Sequence, residues 1–226
     1  MKKIIFLLFT ITLITFTTTA QESKIKFGVQ GGLTYSTFRG YHSFTNEKPG
    51  LSYLFGISFQ YKLNESLSLK ADLNYDRKTQ FTKGTSSSWY TPDNPMPPAD
   101  AIYNFKSVTY LNYITLPIML KFSFTHNKSF YINGGPYLGY LIKSGMTFES
   151  SRKQTPDEDL ENTKYRKSLD FGISAGFGKE FKLNDKHSIY VELRENLGLT
   201  DIANPDMPTD ESMKTNSFNL ITGFTF

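Results

Sequence analysis

The sequence predicts an all-β chain closed into an eight-stranded antiparallel up-and-down transmembrane β-barrel. Three observations carry that prediction. Apolar and polar residues alternate with period two, most clearly over the 13 residues from Leu51 to Leu63. The links between such segments are alternately short and long. Aromatic residues are abundant (Phe 20, Tyr 14, Trp 1) although mean hydropathy is only -0.37. A helical membrane protein needs long apolar runs, which that value opposes, whereas barrel strands are apolar on one face only.

The first element is separate from the barrel. Met1-Lys2-Lys3 is a basic start, Ile4 to Phe16 is apolar but Thr-rich, and Thr18-Thr19-Ala20 supplies small residues before Gln21. This layout predicts a signal peptide over residues 1–20 and a barrel domain over 21–226. Removing Lys2 and Lys3 lowers the formal net charge of +4 to +2. The remaining charge is close to balanced, with no basic run that points to nucleic acid. With 0 cysteines the chain has no disulfide, thiolate metal site, cysteine nucleophile or lipid-modified cysteine.

Eight strands follow. The first carries Phe27, Val29, Leu33 and Tyr35, with Gly31 in phase. The second alternates Leu51, Tyr53, Phe55, Ile57, Phe59, Tyr61 and Leu63 with a mostly polar set. The third pairs Leu67, Leu69, Ala71, Leu73 and Tyr75 with Ser68, Lys70, Asp72, Asn74 and Asp76. The fourth runs from Ile114 to Phe124 and contains Pro117. The fifth, Phe130 to Tyr140, is apolar or Gly on both faces and contains Pro136. The sixth spans Leu169 to Phe177. The seventh spans Ile189 to Leu199, with Glu195 interrupting its apolar set. The eighth ends the chain through Phe218, Leu220, Phe224 and Phe226. A proline inside a strand removes a ladder donor, so irregular pairing is expected at both.

Links after even strands are short: Asn64–Ser66, Thr125–Ser129 and Lys182–His187. Links after odd strands are long, near Ser36–Gly50, Lys78–Ser107, Lys143–Lys167 and Thr200–Thr215. Outer-membrane barrels sort their connections this way, with short periplasmic turns and long outward loops. An even strand count then leaves both termini periplasmic. Tyr35, Tyr61, Tyr75, Phe122, Phe124, Tyr140, Phe224 and Phe226 fall near strand ends, as interfacial girdles require.

Several segments resemble a known family. Lys24-Ile25-Lys26-Phe27-Gly28-Val29-Gln30-Gly31-Gly32-Leu33-Thr34-Tyr35-Ser36 is similar to the first strand of the PorT-like, or "porin family", outer-membrane barrels of Bacteroidota. Tyr113 to Phe122 resembles their fourth strand, Asn133-Gly134-Gly135-Pro136-Tyr137-Leu138-Gly139-Tyr140 their fifth, and Asn196 to Ile202 the end of their seventh. Gly223-Phe224-Thr225-Phe226 resembles their terminal strand, which implies that Phe224 and Phe226 form the signal read by barrel-assembly machinery. Glu195 departs from the family, which more often has an aromatic before the Asn. The resemblance implies a fold and a location; its namesake is an accessory of a secretion and gliding system.

The inward set is expected to form a polar lumen network of Lys62, Lys70, Asp72, Asp76, Lys121, Asp170, Glu192 and Arg194. An eight-stranded barrel is just wide enough for side chains to fill it, and charges of both signs can pair there. The competing expectation is a narrow passive pore, for which inward Gly56, Gly172, Gly176 and Gly178 leave room. A third is a soluble lipocalin-like ligand-binding barrel, which would turn the apolar set inward. Catalysis finds no support: His126 and His187 lie in short turns, and His42 beside Ser43 has no carboxylate before Glu47. Asp157-Glu158-Asp159-Leu160-Glu161 matches no calcium-loop spacing, and Arg152, Lys153, Lys164, Arg166 and Lys167 balance it. Neither a cofactor nor a metal is expected. Trp89-Tyr90, in a loop with Pro92, Pro95, Pro97 and Pro98, is a candidate surface contact or rim cap. Expected partners are outer-membrane lipid and lipopolysaccharide, the assembly machinery and a surface or secretion-system protein, with the barrel itself a monomer.

Overall fold

The computed structural model describes residues 24–40, 47–87, 102–124, 129–150, 158–184, 186–205 and 212–226. The signal-peptide segment, His42, Trp89, Tyr90, His126, Arg152, Lys153 and Asp157 lie outside them. Nine strands form: β1 (Ile25–Arg39), β2 (Glu47–Lys62), β3 (Leu67–Ser87), β4 (Ile102–Phe124), β5 (Phe130–Ser150), β6 (Glu158–Glu161), β7 (Leu169–Lys182), β8 (Ser188–Gly198) and β9 (Lys214–Thr225). All pairings are antiparallel, in the order β4-β3-β2-β1-β9-β8-β7-β5, and β4 pairs with β5 to close an eight-stranded ring. The short β6 pairs only with the far end of β5.

The ring is staggered. Tyr35 is opposite Phe218, which leads through Glu195, Ala175, Gly134, Leu120, Leu69 and Tyr61 back to Ile25 on the starting strand. That circuit returns ten residues below its start, which sets a strand tilt of about 40° in an eight-stranded barrel.

Alternation determines which face is wet. On β2, Leu51, Tyr53, Phe55, Ile57 and Tyr61 are exposed, with Leu51 at 67%. Leu33, Tyr35, Leu73, Ile118, Leu138, Phe171, Leu193 and Phe218 continue this apolar belt around the ring. The alternate residues are buried and mostly polar, including Gln30, Thr34, Ser58, Gln60, Asn74, Asn133, Ser174 and Asn219. The arrangement is the reverse of a lipocalin, whose apolar set faces inward.

The strands are longer than their apolar alternation. β3, β4 and β5 reach 21, 23 and 21 residues and take in much of the expected loops Lys78–Ser107 and Lys143–Lys167. Above Tyr75 the sequence loses its greasy face, but the backbone ladder continues through Ser87↔Ile102. Paired backbone needs no apolar face once the strands stand in water, so this sheet projects beyond the belt.

Both prolines sit at short gaps in the ladders and cause no slip. The β3–β4 pairing skips from Ala71↔Ile118 to Asn74↔Thr115 in the same register, opposite Pro117. The β4–β5 pairing skips from Pro117↔Tyr137 to Leu120↔Gly134, opposite Pro136. The shifts in register occur elsewhere, between Pro49 and Leu54 and between Asn112 and Tyr113. Two short turns share one device. The Asn64 side chain accepts the N–H groups of Ser66 (2.9 Å) and Leu67 (2.8 Å). Asn184 does the same for Lys186 (2.9 Å) and His187 (2.7 Å), the self-capping that suits Asn to tight turns.

Candidate functional site: the barrel interior

The lumen is filled in tiers. Nearest the short turns, Lys121 Nζ lies 2.6 Å from Glu180 Oε2 and 3.1 Å from Gln60 Oε1. Ser188 donates to Glu180 at 2.7 Å, and Lys26 Nζ stands 3.6 Å from it.

The middle tier holds two cations and two anions. Lys70 Nζ is 2.8 Å from Glu192 and 3.6 Å from Asp72. Arg194 Nη2 is 2.8 Å from Asp72 and 2.5 Å from Glu192. Tyr131 donates to Glu192 at 2.9 Å, and Lys70 Nζ lies 4.7 Å from the Tyr190 ring centroid. Tyr190 donates to Gln30 (2.5 Å), which donates to Asn74 (2.6 Å). All four charges are buried, a placement that only near-complete pairing makes tolerable.

The third tier centres on Asp170. It accepts Thr215 Oγ1 (2.7 Å), Tyr137 OH (3.1 Å) and Lys78 Nζ (3.4 Å), while Lys78 also donates to Thr215 at 3.0 Å. The Lys78 ammonium is 5.3 Å from the Tyr113 ring and 5.1 Å from the Tyr137 ring. Asp76 accepts Thr34 Oγ1 at 3.2 Å.

An apolar plug closes the loop end above these charges. Phe38, Leu111, Tyr113 and Leu141 from the strands pack with Ile202, Ala203 and Met213 from the β8–β9 connection. Asp201 clamps that connection by accepting the N–H groups of Ala203 (3.0 Å) and Met213 (2.7 Å). Ile202 N–H donates to Met213 O at 2.8 Å, and Lys167 N–H to Ile202 O at 2.8 Å. Burial alone would raise the Asp201 pKa, but the two N–H donors, with Lys167 and Lys214 nearby, hold it below the usual carboxylate range.

Three inward glycines stand against tyrosine rings. Tyr131, Tyr137 and Tyr190 face Gly178, Gly172 and Gly223 across the ladder. A Cβ on Gly178 would lie 2.8 Å from Tyr131 Cε1, on Gly172 2.5 Å from Tyr137 Cε1, and on Gly223 2.6 Å from Tyr190 Cε1, with the Cζ atoms of Tyr131 and Tyr190 nearer still. The room that glycine spares is occupied by a tyrosine ring.

Of the sequence-selected residues, Lys70, Asp72, Asp76, Lys121, Asp170, Glu192 and Arg194 lie buried in the interior. Lys62 does not: it has inward parity but is the last residue of β2, past the mouth, and is exposed. Sequence reasoning missed Lys78 and the inward tyrosines. Lys78 fell in an expected loop, and the two apolar faces of β5 hid Tyr131 and Tyr137. Phe224 and Phe226 face outward on the last strand, 6.3 Å apart, and His187 stacks on Phe224 at 5.6 Å. Glu158–Glu161 of the acidic segment pairs along β5 as β6, and no cluster of metal-ligating side chains occurs among the described residues.

No curated protein matches the sequence. Among solved structures, the chain is similar to Ail of Yersinia pestis at 11% identity, covering 89% of this chain and 99% of that one, with a TM-score of 0.38. Neisserial surface protein A is 12% identical over 88% and 95%, with a TM-score of 0.43. OprG of Pseudomonas aeruginosa is 12% identical over 89% and 95%, with a TM-score of 0.38. A family model described as "Outer membrane protein beta-barrel domain" matches residues 19–204. The closed ring, its apolar belt and that match agree: the chain belongs to the outer membrane protein beta-barrel domain family.

Proposed function

We propose that this barrel is a sealed, non-enzymatic platform whose work is done outside the membrane, as a surface-interaction or envelope element or as an accessory to a secretion machine. The observation that carries the reading is the double closure of the lumen. A buried four-charge cluster crosses the middle, and the apolar plug built on Ile202 and Met213 covers the loop end. A filled interior leaves the surfaces to act. β3, β4 and β5 continue well past the apolar belt and carry a stacked Phe105–Phe148 pair at 5.6 Å. Loops and extensions on a rigid scaffold are the usual seat of recognition. The resemblance to PorT-like barrels of Bacteroidota supports an accessory role in a Gram-negative outer membrane and Phe224 and Phe226 as the assembly signal, while the layout of residues 1–20 supports a signal peptide and the even strand count supports periplasmic termini.

Purified, refolded barrel in a planar bilayer is expected to give no steady single-channel steps. Reproducible steps at physiological salt would defeat the sealed reading in favour of the narrow pore. Replacing residues 83–106 by a short turn is expected to leave heat-modifiable gel migration intact, while the variant fails to rescue the surface phenotype of a deletion strain. Full complementation by that variant would remove the projecting sheet from the function.

A further inference from the structure

Glu195 is out of place. It is on the outward face of β8, between Leu193 and Leu197, opposite Phe218 on β9 and Ala175 on β7. The neighbouring outward positions on those strands are Ile173 and Phe177 on β7, and Leu220 and Asn216 on β9. The carboxylate therefore stands in a wall that is apolar but for the neutral Asn216 carboxamide, and the family assignment puts that wall in lipid. Its depth follows from the strand geometry. Outward Leu199 is four residues above it and Ile189 six below, about 10 Å and 15 Å along the membrane normal at 3.3 Å per residue and a tilt near 40°. A glutamate side chain is too short to span either distance to headgroups, and hydrocarbon offers it no donor.

Ionisable residues facing the membrane interior are rare and are retained with a partner. Among the described residues no outward cation stands at that depth, and Asn216 beside it is neutral. The outward cations of the described strands lie at or beyond the rims: Lys179 toward the turns, and Arg39, Lys48, Arg77, Lys83, Lys106 and Lys214 toward the loops. Arg39 and Lys214 face each other four residues above Tyr35 and Phe218, and Arg39 is engaged with the Gly198 carbonyl at 2.5 Å. A second copy inserted in the same orientation would bring its own apolar wall, or another carboxylate, to the level of Glu195. Charge complementarity thus selects a different polypeptide.

We propose that the β7–β8–β9 wall is a lateral docking surface for another membrane-embedded protein, which presents a Lys or Arg side chain to Glu195 within the bilayer. Ala175 beside it is the smallest outward side chain on this stretch of β7, flanked by Ile173 and Phe177, and makes the notch through which a cationic chain reaches the carboxylate. The inference rests on the membrane setting of the belt and is independent of whether the lumen conducts, so conductance results leave it untouched.

The test uses full-length protein in intact cells. A photo-crosslinking residue is placed at Leu197, which shares the face of Glu195 without replacing it. The control position is Leu73 on β3, four strands away around the ring and also outward. We expect a Leu197 adduct whose mapped partner peptide lies in a membrane span with a Lys or Arg. It should fall at least about tenfold with Glu195→Leu and be partly retained with Glu195→Asp, and no adduct should form from Leu73. Folding of each variant is read by heat-modifiable migration, which Glu195→Leu should preserve because it removes a charge from the lipid face. An adduct unaffected by Glu195→Leu, one only with lipid or a second copy of this chain, or no adduct from a folded variant would each overturn the proposal.

Discussion

At the scale of single residues, the interior is decided by which buried groups have a substitute partner. Among the described residues Lys70 is the only ammonium that joins Glu192 to Asp72, and Arg194 completes the square. Lys70→Met is expected to leave two buried carboxylates facing one guanidinium, a loss of about 3–5 kcal/mol for breaking a buried pair. Lys121→Met is expected to cost clearly less, because Glu180 retains Ser188 and Lys26 nearer to water. Urea midpoints of the refolded barrels in micelles, followed by gel migration, rank the two; equal midpoints would contradict the tiered account. The glycine–tyrosine pairs make a second, steric expectation. Gly178→Ala pushes a methyl into the Tyr131 ring, whose hydroxyl holds Glu192. Overpacking of this kind costs about 1–3 kcal/mol, and the same assay reads it. Gly31→Ala, where the nearest atom to an added Cβ is the Leu54 carbonyl oxygen at 3.7 Å, is the neutral control.

At the scale of elements, the described residues of the β8–β9 connection are a folded part rather than a tether. Asp201 organises it through two N–H donors, and its pKa in the folded state is depressed. A depressed carboxylate contributes stability that is present above its unfolded pKa, about 3.9, and is lost as pH falls through the folded value. The plug should therefore hold through mild acid and loosen only below the ordinary carboxylate range. Hydrogen exchange at the Ala203 and Met213 amides checks this: Asp201→Ala should speed both about fivefold to tenfold at pH 7, the worth of one hydrogen bond. Unchanged protection would mean that packing alone holds the loop. This element was invisible in the sequence, where Thr200–Thr215 reads only as a long loop. Period-two alternation reports a face held against something different on each side, so it located all eight ring strands and seven buried charges. It is silent where polar residues fall on both faces, which is why the upper halves of β3, β4 and β5 and the inward Lys78 read as loop. It is equally silent where both faces are apolar or Gly, as on β5, where Tyr131 and Tyr137 went unrecognised.

At the scale of the whole molecule, stagger and closure determine what it would take to open the barrel. A ten-residue stagger over eight strands tilts each strand and keeps the bore near one layer of side chains. Three tiers of buried charge, and Tyr rings set into glycine gaps, then obstruct that bore independently of the plug above them. The two barriers are in series, so removing one should not produce conduction. Replacing residues 201–213 by a short Gly-Ser turn is expected to leave the bilayer current at baseline, because the Lys70–Glu192–Arg194–Asp72 square still spans the lumen. Replacing Lys70, Asp72, Glu192 and Arg194 together by Ser, with the plug intact, is also expected to stay silent. Only the combination should give steady steps, of small conductance because Tyr131, Tyr137 and Tyr190 remain. Steps from the loop replacement alone would show that the plug is the sole barrier and that the ion-pair tiers are permeable; steps from the serine variant alone would show the reverse.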